Sequence, residues 1–335
     1  MKNRNKAILV ASLISAANSY AACSVPSNGA TAGSTVTCTG TTTGVYSINA
    51  ANVTFLNQGD ITGTGTQFGI IISESTTTSG INATNQGTMT WNNALPNGIG
   101  LRSTVMLGYY TNNNLTSATF TNDTAGQIFV NGTVNLPNGY ATGGISVGAR
   151  YGTAILDNKG SVTSTSTSTN GLGYAEGLAA IGKNAQITNS GSVIVTANQG
   201  SSAGGIEING SWTTGTTYIN NSGTVTVSAL GTDTQAVGIN ALTTSAISAE
   251  IVNSGTIELK GGVTFSGDRS AIFFRTSGTS SVSIPLIFIN TSTGIVKADS
   301  ASYAVSLGEA NTNTSAVQIT NSGIISSDNF YAIVT

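Results

Sequence analysis

A short motif that recurs nine times constrains the fold of this chain more than any other feature of its sequence. The clearest copies read ITNSGSV at 187–193, INNSGTV at 219–225, IVNSGTI at 251–257 and ITNSGII at 319–325. Self-similarity at a spacing of about 30 to 40 residues is the signature of a repeat architecture. The anchor asparagines of the nine copies are Asn57, Asn85, Asn122, Asn158, Asn189, Asn221, Asn253, Asn290 and Asn321.

A second apolar element recurs between these motifs. Examples are GIEI at 205–208 and AVGI at 236–239. Segments such as TVTVS at 224–228 alternate apolar and polar residues with the two-residue period of β-strands. No helical period is sustained after the N-terminal segment. Each repeat therefore predicts three short strands: the second element, the run that ends at the asparagine and the run that follows the glycine.

The motif also predicts how the strands assemble. An apolar side chain points inward on either side of a tight corner, where glycine tolerates a positive φ. Asparagine can hydrogen-bond its own backbone and stack on the asparagine of the next coil. One unit cannot bury its inward side chains alone, but stacked units can. We therefore predict an all-β fold, a right-handed parallel β-helix of about nine coils with three short strands per coil. A β-propeller and a leucine-rich repeat fit less well, because their signatures are missing.

Composition excludes several classes of function. The 335-residue chain contains no histidine, and only 7% of its residues are charged, against about a quarter in an ordinary soluble domain. Without histidine, Ser-His-Asp and Cys-His nucleophile arrangements and His-containing metal sites are excluded. The basic residues form no patch after Lys6, so no nucleic-acid partner is expected. The sequence indicates no cofactor and no metal site, and nothing in it resembles a calcium loop.

Residues 1–21 have the pattern of a signal peptide. Three basic residues precede an apolar stretch at 7–17, and Ser19 and Ala21 provide the small residues of a cleavage site. The apolar stretch is too short for a membrane span, which needs about 20 residues. We therefore expect an exported protein, located at the outer membrane or cell surface or in the extracellular medium.

Two cysteines, Cys23 and Cys38, follow the signal. In an exported chain they most simply form one disulfide, worth roughly 3 kcal/mol of stability in the chain-entropy view. Lipidation of Cys23 is the competing interpretation, although Tyr20 stands where lipoprotein signals carry leucine. The expected division is a signal peptide at 1–21, an N-terminal cap with the cysteine pair at 22–54, and β-helix repeats at 55–335 that are cut within a tenth unit.

An exported chain with a leading cysteine pair and iterated Asn-Ser-Gly-[Thr/Ser]-[Val/Ile] units resembles the passenger region of a Gram-negative autotransporter. The resemblance covers the mature chain from Cys23 onward. It implies a β-helix that an outer-membrane translocator β-barrel carries to the surface, and we expect that barrel to be absent from this chain, which ends in FYAIVT at 330–335. The chain is then a fragment of a longer protein or a passenger without its own translocator. Filamentous-haemagglutinin-like secreted proteins share the fold and are a close alternative.

Four aspartates precede the second element in successive repeats and could form a ladder on one face. Polysaccharide lyases and hydrolases need two or three converging carboxylates, often with a basic residue beside them. Asp268, Asp299 and Arg269 are the candidate catalytic residues. The competing interpretation is that each aspartate is a turn residue at the start of a strand. The four aspartates are Asp233, Asp268, Asp299 and Asp328.

A longer repeat unit contains a candidate binding loop, LGYYTNNNL at 107–115. Tyr109, Tyr110 and Asn112 combine aromatic area with adaptable hydrogen bonding, as recognition loops do. Paired tyrosines can equally be packing or cross-strand contacts.

These features together predict a structural and adhesive surface protein that acts through loops and flat polar faces of a β-solenoid. Its partners would be host or cell-surface glycans or proteins. A secreted carbohydrate-active enzyme that uses the aspartate ladder and a passive spacer stalk remain alternatives. The sequence favours a protein that is not an enzyme.

Overall fold

The computed structural model describes residues 23–44, 46–64, 70–72, 80–95, 102–108, 115–134, 140–168, 173–198, 202–210, 215–230, 235–244, 247–261, 269–277, 285–299, 302–307, 316–328 and 332–334. These residues form β-strands joined by turns and bends. Within these ranges no helix has the length and apolar character that a membrane span requires. The predicted signal peptide at 1–21 lies outside the described residues and stays a prediction.

The described residues contain 28 strands, numbered β1 to β28 in chain order, which occupy three positions in each winding of the chain. First-position strands, which end at the repeat asparagine or its counterpart, are β1 (Thr35–Cys38), β4 (Thr54–Asn57), β7 (Gly80–Asn85), β10 (Ser117–Asn122), β17 (Gly215–Asn221), β20 (Ile247–Asn253), β23 (Pro285–Asn290) and β26 (Ala316–Asn321). Second-position strands, which follow the corner glycine, are β2 (Thr41–Thr43), β5 (Asp60–Thr64), β8 (Thr88–Leu95), β11 (Gln127–Val134), β13 (Ser161–Ser168), β15 (Ser192–Asn198), β18 (Thr224–Ala229), β21 (Thr256–Lys260), β24 (Ile295–Ala298) and β27 (Ile324–Ser327). Third-position strands are β3 (Tyr46–Ile48), β6 (Ile70–Ile72), β9 (Arg102–Leu107), β16 (Ser202–Gly210), β19 (Ala236–Thr244), β22 (Arg269–Ser277), β25 (Tyr303–Leu307) and β28 (Ile333–Val334). Two long strands cover a third position and the first position that follows it, β12 (Tyr140–Asn158) and β14 (Gly173–Asn189).

Strands at equivalent positions pair in parallel. The second-position strands form a ten-stranded sheet in the order β2-β5-β8-β11-β13-β15-β18-β21-β24-β27. The first- and third-position strands belong to one eighteen-stranded sheet, because β12 and β14 join the two positions. The register places equivalent residues together, so that Ile187 lies opposite Ile219 and Val193 opposite Val225. The fold is an all-β parallel β-solenoid, as the repeat predicted.

The predicted form of the coils was wrong in detail. We expected about nine coils with three short strands each. The described residues instead show a ten-stranded sheet and two strands of 19 and 17 residues that each cover two positions. No loop is inserted between the third and first positions of these two windings, so the backbone stays extended through the bend. In β12 a register shift between Ala149 and Thr153 marks that bend.

The apolar residues beside each corner point inward and form continuous columns. Phe120, Leu156 and Ile187 follow one another in one such column, and each is completely buried. Val193 and Val225 are completely buried on the other side of the corner. Burying a side chain of this size favours folding by about 1.5 to 3 kcal/mol. The predicted inward placement of these residues is confirmed.

The corner glycines are needed because stacked backbones touch there. A Cβ atom on Gly191 would overlap the carbonyl oxygen of Gly160, and one on Gly223 would overlap that of Gly191. The expected positive φ at these corners was wrong. Corner glycines therefore serve close approach rather than a left-handed conformation. Among the described residues, the glycines with positive φ are Gly33, Gly44, Gly108, Gly215 and Gly261.

A disulfide between Cys23 and Cys38 holds the N-terminal end, as predicted. A Cys23 sulfur in this bond has no thiol left for lipidation. Cys38 pairs in register with Asn57, so a cysteine occupies the asparagine position of the first winding. Within the segment expected to be a cap, β1, β2 and β3 already stack on β4, β5 and β6.

Candidate functional site

The nine repeat asparagines form one continuous hydrogen-bonded ladder. The Nδ2 atom of each asparagine donates to Oδ1 of the next, from Asn57 to Asn321, over 2.7 to 2.9 Å. The eight asparagines from Asn57 to Asn290 are completely buried, whereas Asn321 is exposed. Several Nδ2 atoms also donate to a carbonyl oxygen after the corner, as Asn57 does to Gly59 over 3.0 Å.

Partners within the solenoid therefore occupy these amides. A buried amide without partners would cost roughly 1 to 3 kcal/mol, and the ladder avoids this cost at every winding. The arrangement holds neighbouring windings in register and keeps the eight asparagines from Asn57 to Asn290 away from solvent.

The aspartate ladder is only partly within the described residues. Asp268 and Asp233 lie outside them and stay predictions. The Asp299 Oδ1 atom lies 3.7 Å from Nη2 of Arg269, which is 2% exposed and also donates to the carbonyl oxygen of Gly261. Burial lowers the pKa of the Arg269 guanidinium, and Asp299 acts in the opposite direction. Asp299 thus lies beside a buried cation, which is a structural use of this carboxylate.

The predicted binding residues Tyr109, Tyr110 and Asn112 also lie outside the described residues. Their role stays a prediction. The strand that precedes them, β9, is a third-position strand and pairs in parallel with β6 and β12.

A different cluster brings together acidic groups that the sequence analysis did not single out. Glu176 on β14 is 4% exposed. Glu207 lies on the neighbouring strand β16, and the Tyr174 hydroxyl donates to Glu207 Oε2 over 3.3 Å. These three residues, Tyr174, Glu176 and Glu207, are called the carboxyl cluster below.

The pKa values in the carboxyl cluster are strongly perturbed. Burial raises the pKa of the Glu176 carboxyl well above its ordinary value, and the neighbouring Glu207 raises it further. Burial also raises the pKa of Glu207, whereas hydrogen bonds from Tyr174 and Asn240 lower it. Burial, followed by the charges of Glu207 and Glu176, raises the pKa of the Tyr174 hydroxyl well above its ordinary value. Perturbed groups of this kind concentrate at functional sites.

Two glycines give the Glu176 side chain its space. In the parallel register Glu176 lies between Gly143 and Gly204. A Cβ atom on Gly143 would lie 2.6 Å from Ser103 Oγ and 3.3 Å from Glu176 Oε2. A Cβ atom on Gly204 would overlap the Tyr174 hydroxyl. The side chains of Ser103 and Tyr174 therefore occupy the space that the two glycines leave beside Glu176.

One sequence signal could have identified this cluster. Glu176 and Glu207 are two of only 13 acidic residues; Glu207 lies in the apolar second element of its repeat, and Glu176 directly precedes that of the repeat before. A search restricted to aspartates before that element overlooks them. No group of three or more His, Cys, Asp or Glu side chains that could hold a metal occurs in the part of the chain that the structure describes.

Comparison with known proteins does not narrow the function. No protein-family model matches the chain, and no curated protein or solved structure matches it with significance.

Proposed function

We propose that the protein is a surface-exposed or secreted structural and adhesive protein of the autotransporter-passenger type, with a right-handed solenoid as its shaft. The observation that carries this proposal is the asparagine ladder, which joins the windings from Asn57 to Asn321 into one rod. A continuous rod suits a protein that presents binding surfaces at a distance from the membrane that carries it.

The dimensions of the sheet support such a role. Ten parallel strands at the usual spacing of about 4.8 Å extend roughly 45 Å along the solenoid axis. Backbone hydrogen bonds between neighbouring windings and the buried asparagine bonds run in the same direction. A shaft of this kind resists bending, because bending would stretch both sets of bonds on one side.

The outer face of the second-position sheet supports an adhesive role. Strands β8, β11, β13, β15 and β18 contain no charged residue, and Thr, Ser and Asn dominate their outward positions. Phe129 is 38% exposed and Ile194 is 43% exposed on this face. A flat, neutral surface with hydroxyl, amide and apolar groups fits an uncharged glycan better than an acidic one.

Export is the second part of the proposal. A disulfide such as Cys23–Cys38 persists in oxidising compartments. The signal peptide at 1–21 would direct the chain there, and an outer-membrane translocator β-barrel would be the partner that moves it outward. Tyr109, Tyr110 and Asn112 would add a contact loop to the flat face, and host or cell-surface glycans or proteins would be the ligands.

Location and adhesion can be tested separately. Protease added to intact producing cells should remove the protein while a periplasmic marker stays intact, and a protected protein would contradict surface exposure.

For adhesion, the purified chain is applied to immobilised neutral and acidic polysaccharides. The Thr165→Lys/Thr196→Lys variant changes neighbouring outward residues of β13 and β15 and should lose binding. The Thr188→Lys/Asn220→Lys variant makes the matched change on the first-position strands and should retain it. Equal binding by both variants would contradict an adhesive second-position face.

A carbohydrate-active enzyme is the second candidate function. The carboxyl cluster favours it, because a general acid must hold its proton near neutral pH and the pKa of Glu176 is raised. If the protein is such an enzyme, the candidate general acid is Glu176 and not Asp268 or Asp299, since Asp299 is paired with Arg269. Sustained product formation from acidic or neutral polysaccharides that Glu176→Gln abolishes would favour the enzyme. No product from the unaltered protein would favour the adhesive protein.

A further inference from the structure

We propose that the carboxyl cluster, together with Ser103, is a binding site for a hard cation of the Ca²⁺ class. The proposal does not depend on adhesion or export. It rests on the placement of oxygen atoms along the third-position strands and on the charge that these atoms carry.

Oxygen atoms from several windings line up beside Glu176. The Glu176 Oε2 and Ser103 Oγ atoms face each other across the space above Gly143. On the other side the Tyr174 hydroxyl covers Gly204 and contacts Glu207 Oε2. The two glycines thus permit a file of hydroxyl and carboxyl oxygens that any larger residue would block.

The charge balance of this file favours a bound cation. Ion pairs among the described residues join Lys159 to Asp157, Lys260 to Glu258 and Arg269 to Asp299, and none of them involves Glu176 or Glu207. A buried carboxylate beside a half-buried one, with no positive partner for either, is unstable as a pair of charges, so the pair must take up a proton or a cation. The pKa values of both carboxyls are raised, which means that proton uptake by this pair is favoured when no cation is bound.

An unpartnered buried oxygen atom gives independent support. Ser103 is 1% exposed and its Oγ atom has no hydrogen-bond partner. Asn240, which lies in register with Glu207, uses its amide group to donate to the Glu207 carboxyl. A buried hydroxyl without a partner costs roughly 1 to 3 kcal/mol. A cation in the file would give Ser103 Oγ the partner that the protein does not supply.

The chemistry of the donors selects the cation. The chain has no histidine, and its two cysteines are joined in the disulfide. Carboxylate, hydroxyl and amide oxygens suit hard cations, and Ca²⁺ accepts irregular sets of such ligands. Mg²⁺ demands a nearly ideal octahedron, which groups on three separate strands do not readily provide. Tyr174 and Glu207 are only partly buried, so this end of the site borders solvent.

The experiment uses the full chain with CaCl₂ and TbCl₃ as probes. Excitation of Tyr174 should sensitise Tb³⁺ luminescence, and added Ca²⁺ should displace the Tb³⁺ signal. Ca²⁺ should also raise the thermal midpoint of the unaltered protein. Glu176→Gln should abolish both responses, and Ser103→Ala should weaken Ca²⁺ affinity without unfolding the protein, as circular dichroism can check.

Glu250→Gln is the matched control. Glu250 is a half-buried carboxylate that raises the pKa of the nearby Tyr218, after the effect of burial, so it also pairs a glutamate with a tyrosine. This variant should respond to Ca²⁺ and Tb³⁺ like the unaltered protein. The proposal would be overturned if the unaltered protein showed neither response, or if Glu176→Gln and Ser103→Ala responded as strongly as Glu250→Gln. A response to pH alone, without a response to either metal, would also overturn it.

Discussion

Asn158 Nδ2 and Asn189 Oδ1 lie 2.7 Å apart in a completely buried hydrogen bond between neighbouring windings. The Asn189 Nδ2 atom in turn donates to Asn221 Oδ1 over 2.8 Å. One side chain thus accepts from the winding before it and donates to the winding after it. The stability of the solenoid should depend on such residues far more than on their exposed neighbours.

Replacing a central asparagine should test this dependence. Asn189→Ala removes three side-chain hydrogen bonds, to Asn158, Asn221 and the carbonyl oxygen of Thr224, and leaves buried groups of Asn158 and Asn221 without this partner. We expect a loss of about 3 kcal/mol in the free energy of unfolding, measured by urea denaturation. Thr188→Ala, at the neighbouring outward position, is the control and should change little. Asn321→Ala, at the exposed end of the ladder, should cost much less than Asn189→Ala, and equal costs would contradict a role for burial.

The corner glycines make a separate prediction. A Cβ atom on Gly191 would overlap the backbone of Gly160, which cannot move without disturbing the winding that contains it. Gly191→Ala should therefore lower the free energy of unfolding by about 3 kcal/mol or prevent folding. Ser190→Ala changes the preceding, exposed residue and serves as control in the same denaturation experiment. A stable Gly191→Ala protein would show that the stacked corners have room to separate.

The disulfide should stabilise the N-terminal winding. Its cysteines are 15 residues apart, so reduction should cost roughly 3 kcal/mol in the chain-entropy view. Hydrogen exchange should accelerate first at residues 35–48, whereas Ile219 and Val225 in the middle of the solenoid should stay protected. A Cys23→Ser/Cys38→Ser variant should behave like the reduced protein and should not respond to reductant. Uniform acceleration along the whole chain would contradict a local role.

The carboxyl cluster predicts an unusual dependence of stability on pH. In the unfolded chain the pKa of glutamate is about 4.3. Because the folded pKa values of Glu176 and Glu207 are raised, the folded protein keeps protons that the unfolded chain releases. The resulting stabilisation is complete below about pH 4.3 and is lost as the pH rises through the folded pKa values.

Thermal midpoints measured in EDTA from acidic to neutral pH would test this dependence. The midpoint of Glu176→Gln should fall less with rising pH than that of the unaltered protein. Glu250→Gln is the control and should follow the unaltered protein. Identical pH profiles for all three proteins would show that Glu176 does not keep its proton on folding.

From residue 55 onward the repeat was sufficient to predict the path of the chain, because one local pattern recurs in each winding. The winding formed by β1, β2 and β3 was expected to be a cap, since Cys38 stands there at the asparagine position. Asparagine, glycine and flanking isoleucine at constant spacing leave few ways to bury the apolar residues other than by stacking. The same pattern did not reveal why glycine stands at the corner. Its role at Gly191 depends on the distance to Gly160 in another winding, which local conformational preference does not contain.

The carboxyl cluster was harder to predict for a related reason. Glu176 and Glu207 occupy different columns of the third position, and the register pairs them with Gly204 and Ala179. The Tyr174 hydroxyl reaches Glu207 across the position of Gly204, which has no side chain to block it. A contact that passes through the gap left by a glycine in a neighbouring winding cannot be read from the spacing of the acidic residues alone.

The asparagine ladder has a direction. Every Nδ2 atom from Asn57 to Asn290 points toward the C-terminal end, so the amide dipoles add instead of cancelling. Turning a single amide by 180° would place two donors face to face on one side and two acceptors on the other. The orientation of each amide therefore fixes that of the next one. The ladder gives the solenoid an electric dipole along its axis, and the few charged residues on the surface do little to offset it.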